Sequence, residues 1–124
     1  MNNNFINFKS LAKEATTLSH LMEDRVKVTT DDIISGYPDG ITITEFDYVN
    51  TGKEEYYIAG FSEDEGAYLN CGLILAKVFD SFVKAFDGDI NGASDCLKEQ
   101  GGLKVKLEKT RTRSGNTITR VSVI

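Results

Sequence analysis

The 124-residue sequence has no tryptophan, one proline, one histidine and two cysteines. Two cysteines outside any CxxC pair do not form a disulfide framework, so the sequence predicts a reducing, cytoplasmic environment. No stretch approaches the roughly 18 consecutive apolar residues of a membrane span, and the N-terminal stretch lacks the apolar run of a signal peptide. We therefore expect a cytoplasmic protein without a membrane partner.

The motifs that carry catalysis are missing as well. The sequence contains no GxSxG, GxxxxGK[ST] or GxGxxG pattern, and His20, Cys71 and Cys96 are not spaced as zinc ligands. The run from Asp87 to Gly92 resembles part of a calcium loop, but Lys98 stands where the closing glutamate should be. The sequence thus predicts a non-enzymatic protein with no catalytic residue, no metal ligand and no cofactor.

Charge is spread unevenly over the chain. The formal net charge is −5, yet residues 101–124 alone carry +5, which leaves −10 on the remainder. Two explanations are open at this point. The basic segment binds an anionic partner, or it lies against the acidic remainder and neutralises it.

Apolar periodicity predicts helices in four places. A stripe of period three to four favours a helix from about Phe5 to Met22, followed by a connector of sequence EDRVKV. Thr29 or Thr30 can cap a short helix that ends before Pro38. A third helix is predicted over residues 73–86, with an apolar face of Leu75, Val78, Phe79, Phe82, Val83 and Phe86. A short fourth helix follows in residues 91–100, and Gly101 and Gly102 end it.

Alternation of period two predicts five strands, at residues 41–49, 54–63, 67–72, 103–113 and 116–124. Turns are expected at residues 50–53, 64–66 and 114–116, and Gly60 is expected to mark a bulge or a close approach. The chain is therefore predicted to be one α+β domain, with a helical extension (1–38) before a β-β-β-α-β-β core (39–124). That element order fits a five-stranded OB-like barrel or a curved antiparallel sheet.

The last two predicted strands carry the candidate binding residues. Leu103, Val105 and Leu107 alternate with charged residues, and the same face then continues as Lys109, Arg111 and Arg113. We therefore expect this hairpin to project past the core and to contact a phosphate backbone. The predicted phosphate contacts are Lys106, Lys109, Arg111, Arg113 and Arg120.

Three tyrosines are candidates for base stacking: Tyr48, Tyr56 and Tyr57. Neighbouring strand residues face opposite sides of a sheet, so one of Tyr56 and Tyr57 must point outward. An outward tyrosine near cations suits single-stranded nucleic acid, in which bases stack on rings. The alternative is that the outward tyrosine merely covers sheet surface.

The order of elements and the terminal hairpin resemble small OB-fold single-stranded-DNA-binding proteins of Gram-positive bacteriophages and mobile elements. More narrowly, the first helix, then KVTTDDIISGYPDGITITEFDYV, then GGLKVKLEKTRTRSGNTITRVSVI, looks like a group of short, acidic phage-type proteins of largely unassigned function. The resemblance implies sequence-tolerant binding of single-stranded DNA during replication or recombination in a bacterial host cell. It also implies homo-oligomers and contact with a host or phage replication protein. The chain departs from the pattern in ending on VSVI rather than on an acidic tail, so recruitment through a tail is not expected.

Two other functions fit the same residues. The first is a protein-interaction module that inhibits a host defence protein or nuclease, with an acidic surface that imitates nucleic-acid phosphates. That surface would consist of Glu45, Asp47, Glu54, Glu55, Glu63, Asp64 and Glu65. The second is a structural component with no nucleic-acid role. The alternatives differ in geometry. DNA binding predicts the basic residues and an outward tyrosine on one concave face, whereas the interaction module predicts a continuous acidic face and buried tyrosines.

Overall fold

The computed structural model describes residues 20–124 of the chain. Within these residues the fold is α+β, with six strands and three helices. The strands are β1 (Val26–Val28), β2 (Ile41–Asn50), β3 (Glu55–Phe61), β4 (Asp64–Asn70), β5 (Leu103–Arg111) and β6 (Thr117–Val123). The helices are α1 (Thr30–Gly36), α2 (Leu73–Ala85) and α3 (Ile90–Glu99).

The strands form one curled mixed sheet with the order β1-β4-β3-β2-β5-β6. All neighbours are antiparallel except β1 and β4, which run parallel. A closed barrel would pair the first and last strands of this order, whereas β1 and β6 lie at opposite edges. The sheet is therefore a half-barrel.

The prediction of five strands was wrong by one. Val26–Val28, expected as part of a connector, pairs with Ala67–Leu69 as the edge strand β1. Three residues are too few for a period of two to appear in the sequence. The alternation of buried apolar and exposed polar residues is also missing here, because the apolar Val26 is 70% exposed.

The first predicted helix, Phe5–Met22, falls mostly on residues 1–19, which lie outside the described part of the chain. Its last three residues, His20–Met22, form a single 3-10 turn. Leu21 is buried in a small cluster of Val49, Ile58 and Tyr68 on one face of the sheet. Residues 26–36, assigned to a helical extension, instead supply a strand of the sheet and α1.

Helix α1 begins as the sequence predicts. The Thr29 hydroxyl accepts a hydrogen bond from the Asp32 N–H (3.2 Å), and the Asp32 carboxylate accepts one from the Thr29 N–H (2.9 Å). This capping box satisfies backbone donors that the first turn leaves unpaired. The helix ends at Gly36, just before Tyr37 and Pro38.

The larger core lies on the other face of the sheet and takes in α2 and α3. Phe46 of β2 stacks on Phe79 of α2, with ring centroids 4.5 Å apart and planes 7° from parallel. Leu75 and Phe79 are fully buried, as predicted, but Phe86 is 39% exposed. The helix ends at Ala85, so Phe86 is its C-terminal cap and no longer part of the buried face, and the chain turns at the next residue, Asp87 (φ 53°).

Helix α3 docks on β2 where the strand is irregular. The register between β2 and β3 shifts between Ile43 and Glu45. Just after this shift, the Phe46 N–H donates to the buried Ser94 hydroxyl of α3 at 3.0 Å. The helix is thus joined to the sheet by a specific hydrogen bond as well as by apolar contact.

The expected bulge at Gly60 is present, because the register between β3 and β4 shifts between Ala59 and Phe61. A Cβ on Gly60 would lie 2.7 Å from the Arg25 guanidinium, so the close approach is present too.

The turn predicted at residues 64–66 was wrong. Phe61 pairs with Asp64, so the turn is Ser62-Glu63 and residues 64–66 already belong to β4.

Candidate functional site

The β5–β6 hairpin extends beyond the rest of the sheet. Strand β2 pairs with β5 only from Leu103 to Val105, whereas β5 pairs with β6 from Val105 as far as Arg111. Val105 and Leu107 are buried, but Lys109 and Arg111 are exposed. The outer half of the hairpin is therefore a two-stranded ribbon, which agrees with the projection that the sequence predicts.

The turn at the tip of this ribbon is internally hydrogen-bonded. The Thr112 N–H donates to the Asn116 carbonyl (2.9 Å), and the Gly115 N–H donates to the Thr112 carbonyl (3.0 Å). Gly115 has φ 85°, a conformation that glycine adopts without strain. Arg111 ends β5 just before this turn, Arg113 lies within it, and both side chains are exposed.

Two cations of the terminal segment pair with the acidic body. The Lys104 Nζ lies 3.7 Å from Glu63 Oε2, and the Lys109 Nζ lies 2.7 Å from Asp31 Oδ1 at the start of α1. At these two positions the basic terminal segment neutralises acidic residues of the same chain, which is the second of the two explanations for its charge.

Four other cations have a different environment. Lys106, Arg111, Arg113 and Arg120 have no carboxylate within 4.0 Å among residues 20–124. Arg111, Arg113 and Arg120 are exposed, and Lys106 is half-buried. The positive charge left over after internal pairing therefore lies on the hairpin, mostly toward its outer half.

The candidate tyrosines are placed less favourably for stacking. Tyr57 is buried in the main core, where its hydroxyl donates to Asp80 Oδ1 at 2.6 Å. Burial, together with this hydrogen bond, raises the pKa of Tyr57. Tyr48 lies beside it with ring centroids 5.2 Å apart, and the Glu55 carboxylate raises the pKa of the Tyr48 hydroxyl. Both rings belong to the core face.

Tyr56 is the member of the pair that points away from the main core. Its ring is half-buried and packs against the small cluster of Leu21, Val49, Ile58 and Tyr68 on the opposite face. Tyr56 thus covers sheet surface, which is the alternative that the sequence left open, and only part of its ring is exposed to a base.

The structure does not bring the tyrosines and the hairpin tip together. Ile41 pairs with Val105; from this point β2 runs one way to Tyr48 and β5 runs the other way to Arg111. At about 3.3 Å per residue, the two ends are separated by roughly 40 Å of strand. A single interface of cations and stacking rings is not formed.

The acidic residues proposed for the protein-interaction module lie in separate parts of the sheet. Glu54 and Glu55 lie at the start of β3, and Asp64 and Glu65 follow its far end. Glu45 is paired with the Arg25 guanidinium at 2.7 Å. These side chains do not form one continuous acidic face.

The Glu63 carboxylate is hydrogen-bonded to Thr42. It accepts hydrogen bonds from the Thr42 N–H (2.7 Å) and from the Thr42 hydroxyl (3.1 Å). Although burial raises the pKa of Glu63, these bonds and Lys104 outweigh it, so the pKa is lowered. The side chain fastens the β3–β4 turn to the start of β2.

No cluster of metal-ligating side chains is found in the described part of the chain. Between residues 20 and 124, three His, Cys, Asp or Glu side chains nowhere come together as a metal site would require. Asp89, in the run that resembles a calcium loop, caps α3 by accepting from the Gly92 N–H at 3.0 Å. Cys71 is buried, which raises the pKa of its thiol.

One polar cluster was missed by sequence reasoning. Arg25 and Lys98 both approach Glu45, at 2.7 and 4.0 Å, above Gly60. They come from different parts of the chain, so no local pattern predicts them. The only local signal was Gly60 itself, which leaves room for the guanidinium.

No family model, curated protein or solved structure matches this chain. The helices found within residues 20–124 are too short or too polar to cross a lipid bilayer.

Proposed function

We propose that this protein is a non-enzymatic, sequence-tolerant binder of single-stranded DNA, and that the outer half of the β5–β6 hairpin binds the phosphates. The proposal rests on one observation. Arg111, Arg113 and Arg120 are exposed on a projecting ribbon and lack a carboxylate partner among the described residues, while Lys104 and Lys109 are paired internally.

The chemistry of the ribbon favours a phosphate backbone over a small ligand. Guanidinium groups bind phosphate oxygens bidentately, and the hydroxyls of Thr112 and Ser114 lie among them at the tip. The site is exposed, so each contact is weak and is screened by salt. We expect moderate affinity with a clear dependence on ionic strength.

Base stacking does not support the preference for single strands, because the tyrosines and the hairpin tip do not share one face. The preference rests instead on the barrel-like curl of the sheet and on the resemblance to OB-fold binders. In that interpretation β2 to β6 form the five-stranded unit, and β1 lies at the edge beside β4. On the same resemblance, we propose a role in the replication or recombination of a bacteriophage or mobile element.

The test is a titration of labelled oligo-dT with the full chain at several salt concentrations. Arg111→Ala with Arg113→Ala should weaken binding and reduce the log–log salt slope by roughly 0.7 for each phosphate that is no longer neutralised. Folding should be unaffected, because both side chains are exposed.

The matched control is Lys104→Ala with Lys109→Ala. It removes the same charge from the same hairpin, but from cations already paired with Glu63 and Asp31. It should change affinity and salt slope much less. Equal effects of the two double variants would show that net charge, not the hairpin tip, determines binding.

Two further outcomes would contradict the proposal. If the wild-type protein binds a duplex of the same length as tightly as oligo-dT, the single-strand preference is wrong. If it binds neither at low salt, the hairpin charge serves another partner, and the acidic interaction module becomes the better hypothesis.

A further inference from the structure

The two edges of the sheet are protected to very different degrees. Exposed strand edges invite pairing with another chain, and proteins block them with short strands, charges, prolines or bulges. Strand β1 is three residues long, follows Arg25 and contains Lys27. Strand β6 is seven residues long, and its one-to-one register with β5 runs unbroken from Arg111↔Thr117 to Val105↔Val123.

Strand β6 also exposes apolar side chains along this edge. Ile118 is 43% exposed and Val123 is 62% exposed, and Ile124 beside them is similarly open. Arg120 is the one charged residue in the strand. Next to Ile118 lies a groove of about 380 Å³ lined by Ile74, Leu75 and Val121, among others.

The free hydrogen-bonding groups of β6 can be assigned. The Ile124 N–H donates to the Lys104 carbonyl at 3.0 Å, so residue 124 directs its backbone groups toward β5. These directions alternate along an antiparallel strand. The N–H and C=O groups of Thr119, Val121 and Val123 therefore point to the open edge.

We propose that β6 pairs antiparallel with β6 of a second copy of this chain, with Val121 opposite Val121 of the partner subunit. In this register Thr119 lies opposite Val123 of the partner subunit, and both present outward backbone groups. The pairing is symmetric, as a two-fold dimer requires.

Charge disfavours one of the two neighbouring registers. A shift that brings Thr119 opposite Val121 of the partner subunit also places Arg120 opposite Arg120 of the partner subunit, and like charges directly opposite are destabilising. In the proposed register Arg120 meets Ser122 of the partner subunit, and Ile118 meets Ile124 of the partner subunit. The edge is complementary to itself in hydrogen bonding, charge and apolar contact.

The dimer is weak and reversible. A ladder of about seven residues buries less surface than a standard protein–protein interface, so the dimer forms and dissociates with concentration. The interface does not use Arg111 or Arg113. It does place Arg120, which the proposed function assigns to phosphate binding, opposite Ser122 of the partner subunit, so dimerisation has to be measured without nucleic acid.

The experiment is sedimentation equilibrium of the full chain over a range of concentrations, without nucleic acid. Val123→Lys should raise the dissociation constant of the dimer by about tenfold or more, equivalent to ~1.4 kcal/mol. Val26→Lys is the matched control: it places the same charge at a similarly exposed valine on the opposite edge, and it should leave the dimer unchanged.

Thr119→Pro is a second variant, because it removes an outward N–H that has no acceptor among residues 20–124. Circular dichroism of each variant checks that the monomer still folds. A wild-type protein that stays monomeric at every concentration would overturn the proposal. So would a dimer weakened equally by Val26→Lys, or one that survives both Val123→Lys and Thr119→Pro.

Discussion

Phe79 is the residue at which the main helix meets the sheet. Its ring is fully buried and contacts three other rings: Phe46 at 4.5 Å, Tyr57 at 5.5 Å and Phe82 at 6.2 Å between centroids. The sequence placed Phe79, Phe82 and Phe86 on one buried face, but burial falls along that face toward the C-terminal end of the helix. Stability should follow burial rather than residue type.

Phe79→Ala should therefore destabilise the protein by about 3–5 kcal/mol, because it leaves a cavity among rings that cannot close around it. This is a large part of the stability of a small domain. Denaturant titration measures the loss, with Phe86→Ala as control; that change should cost less than about 1 kcal/mol. Similar costs for the two variants would mean that the helix face is misassigned.

Glu63 is expected to make the free energy of unfolding depend on pH. Its pKa is lower in the folded state than in the unfolded chain, so its charge stabilises the fold above the unfolded pKa. That contribution is lost as the pH falls through the folded pKa. Glu63→Gln keeps an acceptor for the Thr42 N–H and removes the charge.

We expect Glu63→Gln to cost on the order of 1 kcal/mol near neutral pH, and the difference from wild type to disappear in acid. Urea titrations at a series of pH values measure this. Glu65→Gln, an exposed change two residues away, should leave the profile unchanged. A constant difference between Glu63→Gln and wild type at all pH values would show that the charge is not responsible.

Among the elements, those with strong local signals agree with prediction. Helix α1 follows from the Thr29 cap, and α2 follows from its apolar stripe and the Asp87-Gly88 stop. The errors concern strand β1 and the β3–β4 turn. Each depends on partners distant in sequence: β1 on its pairing with β4, and the turn on the contact between Glu63 and Thr42.

Helix α3 is an element whose position depends on one buried polar contact. The Ser94 hydroxyl accepts the Phe46 N–H, which lies in the interior. Ser94→Ala leaves that donor without a partner, so we expect a loss of about 1–3 kcal/mol. Ser81→Ala is the control, because the Ser81 hydroxyl is exposed and donates to a carbonyl of its own helix.

Both serine variants can be compared in one denaturant series. The Ser81 change should fall within about 0.5 kcal/mol of wild type. Equal stability of the Ser94 variant and the Ser81 variant would show that α3 is held by apolar contact alone.

For the whole molecule, the distribution of functional groups differs from the sequence-based prediction in two respects. The projection of the hairpin and its excess of cations follow from alternation and composition. The pairing of Lys109 with Asp31 depends on the packing of α1 beside β5, and the separation of the tyrosines from the arginines depends on the order of the strands in the sheet. No local sequence pattern indicates either arrangement.

This separation makes a prediction about stacking. If DNA is held at the hairpin tip, Tyr56→Ala should leave affinity for short oligo-dT unchanged, because Tyr56 pairs with Val49 at the other end of β2. Titration at one fixed low salt concentration tests this, beside the Arg111→Ala, Arg113→Ala variant. A loss of about 1–3 kcal/mol for Tyr56→Ala would indicate a stacked base and a strand that wraps the molecule.

The outer half of the β5–β6 hairpin is held by a single ladder of hydrogen bonds, so it opens locally at a lower free energy than β2 and β3, which have neighbours on both sides. Its backbone amides should exchange with solvent deuterium before those of the sheet centre. A protease that cleaves after arginine meets Arg111 and Arg113 at this tip, and after a cut there β6 stays attached to the protein only by non-covalent contacts, chiefly its pairing with β5 and the packing of Val121 on the core. The segment that carries the excess positive charge is thus also one that a single cut can separate from the described fold.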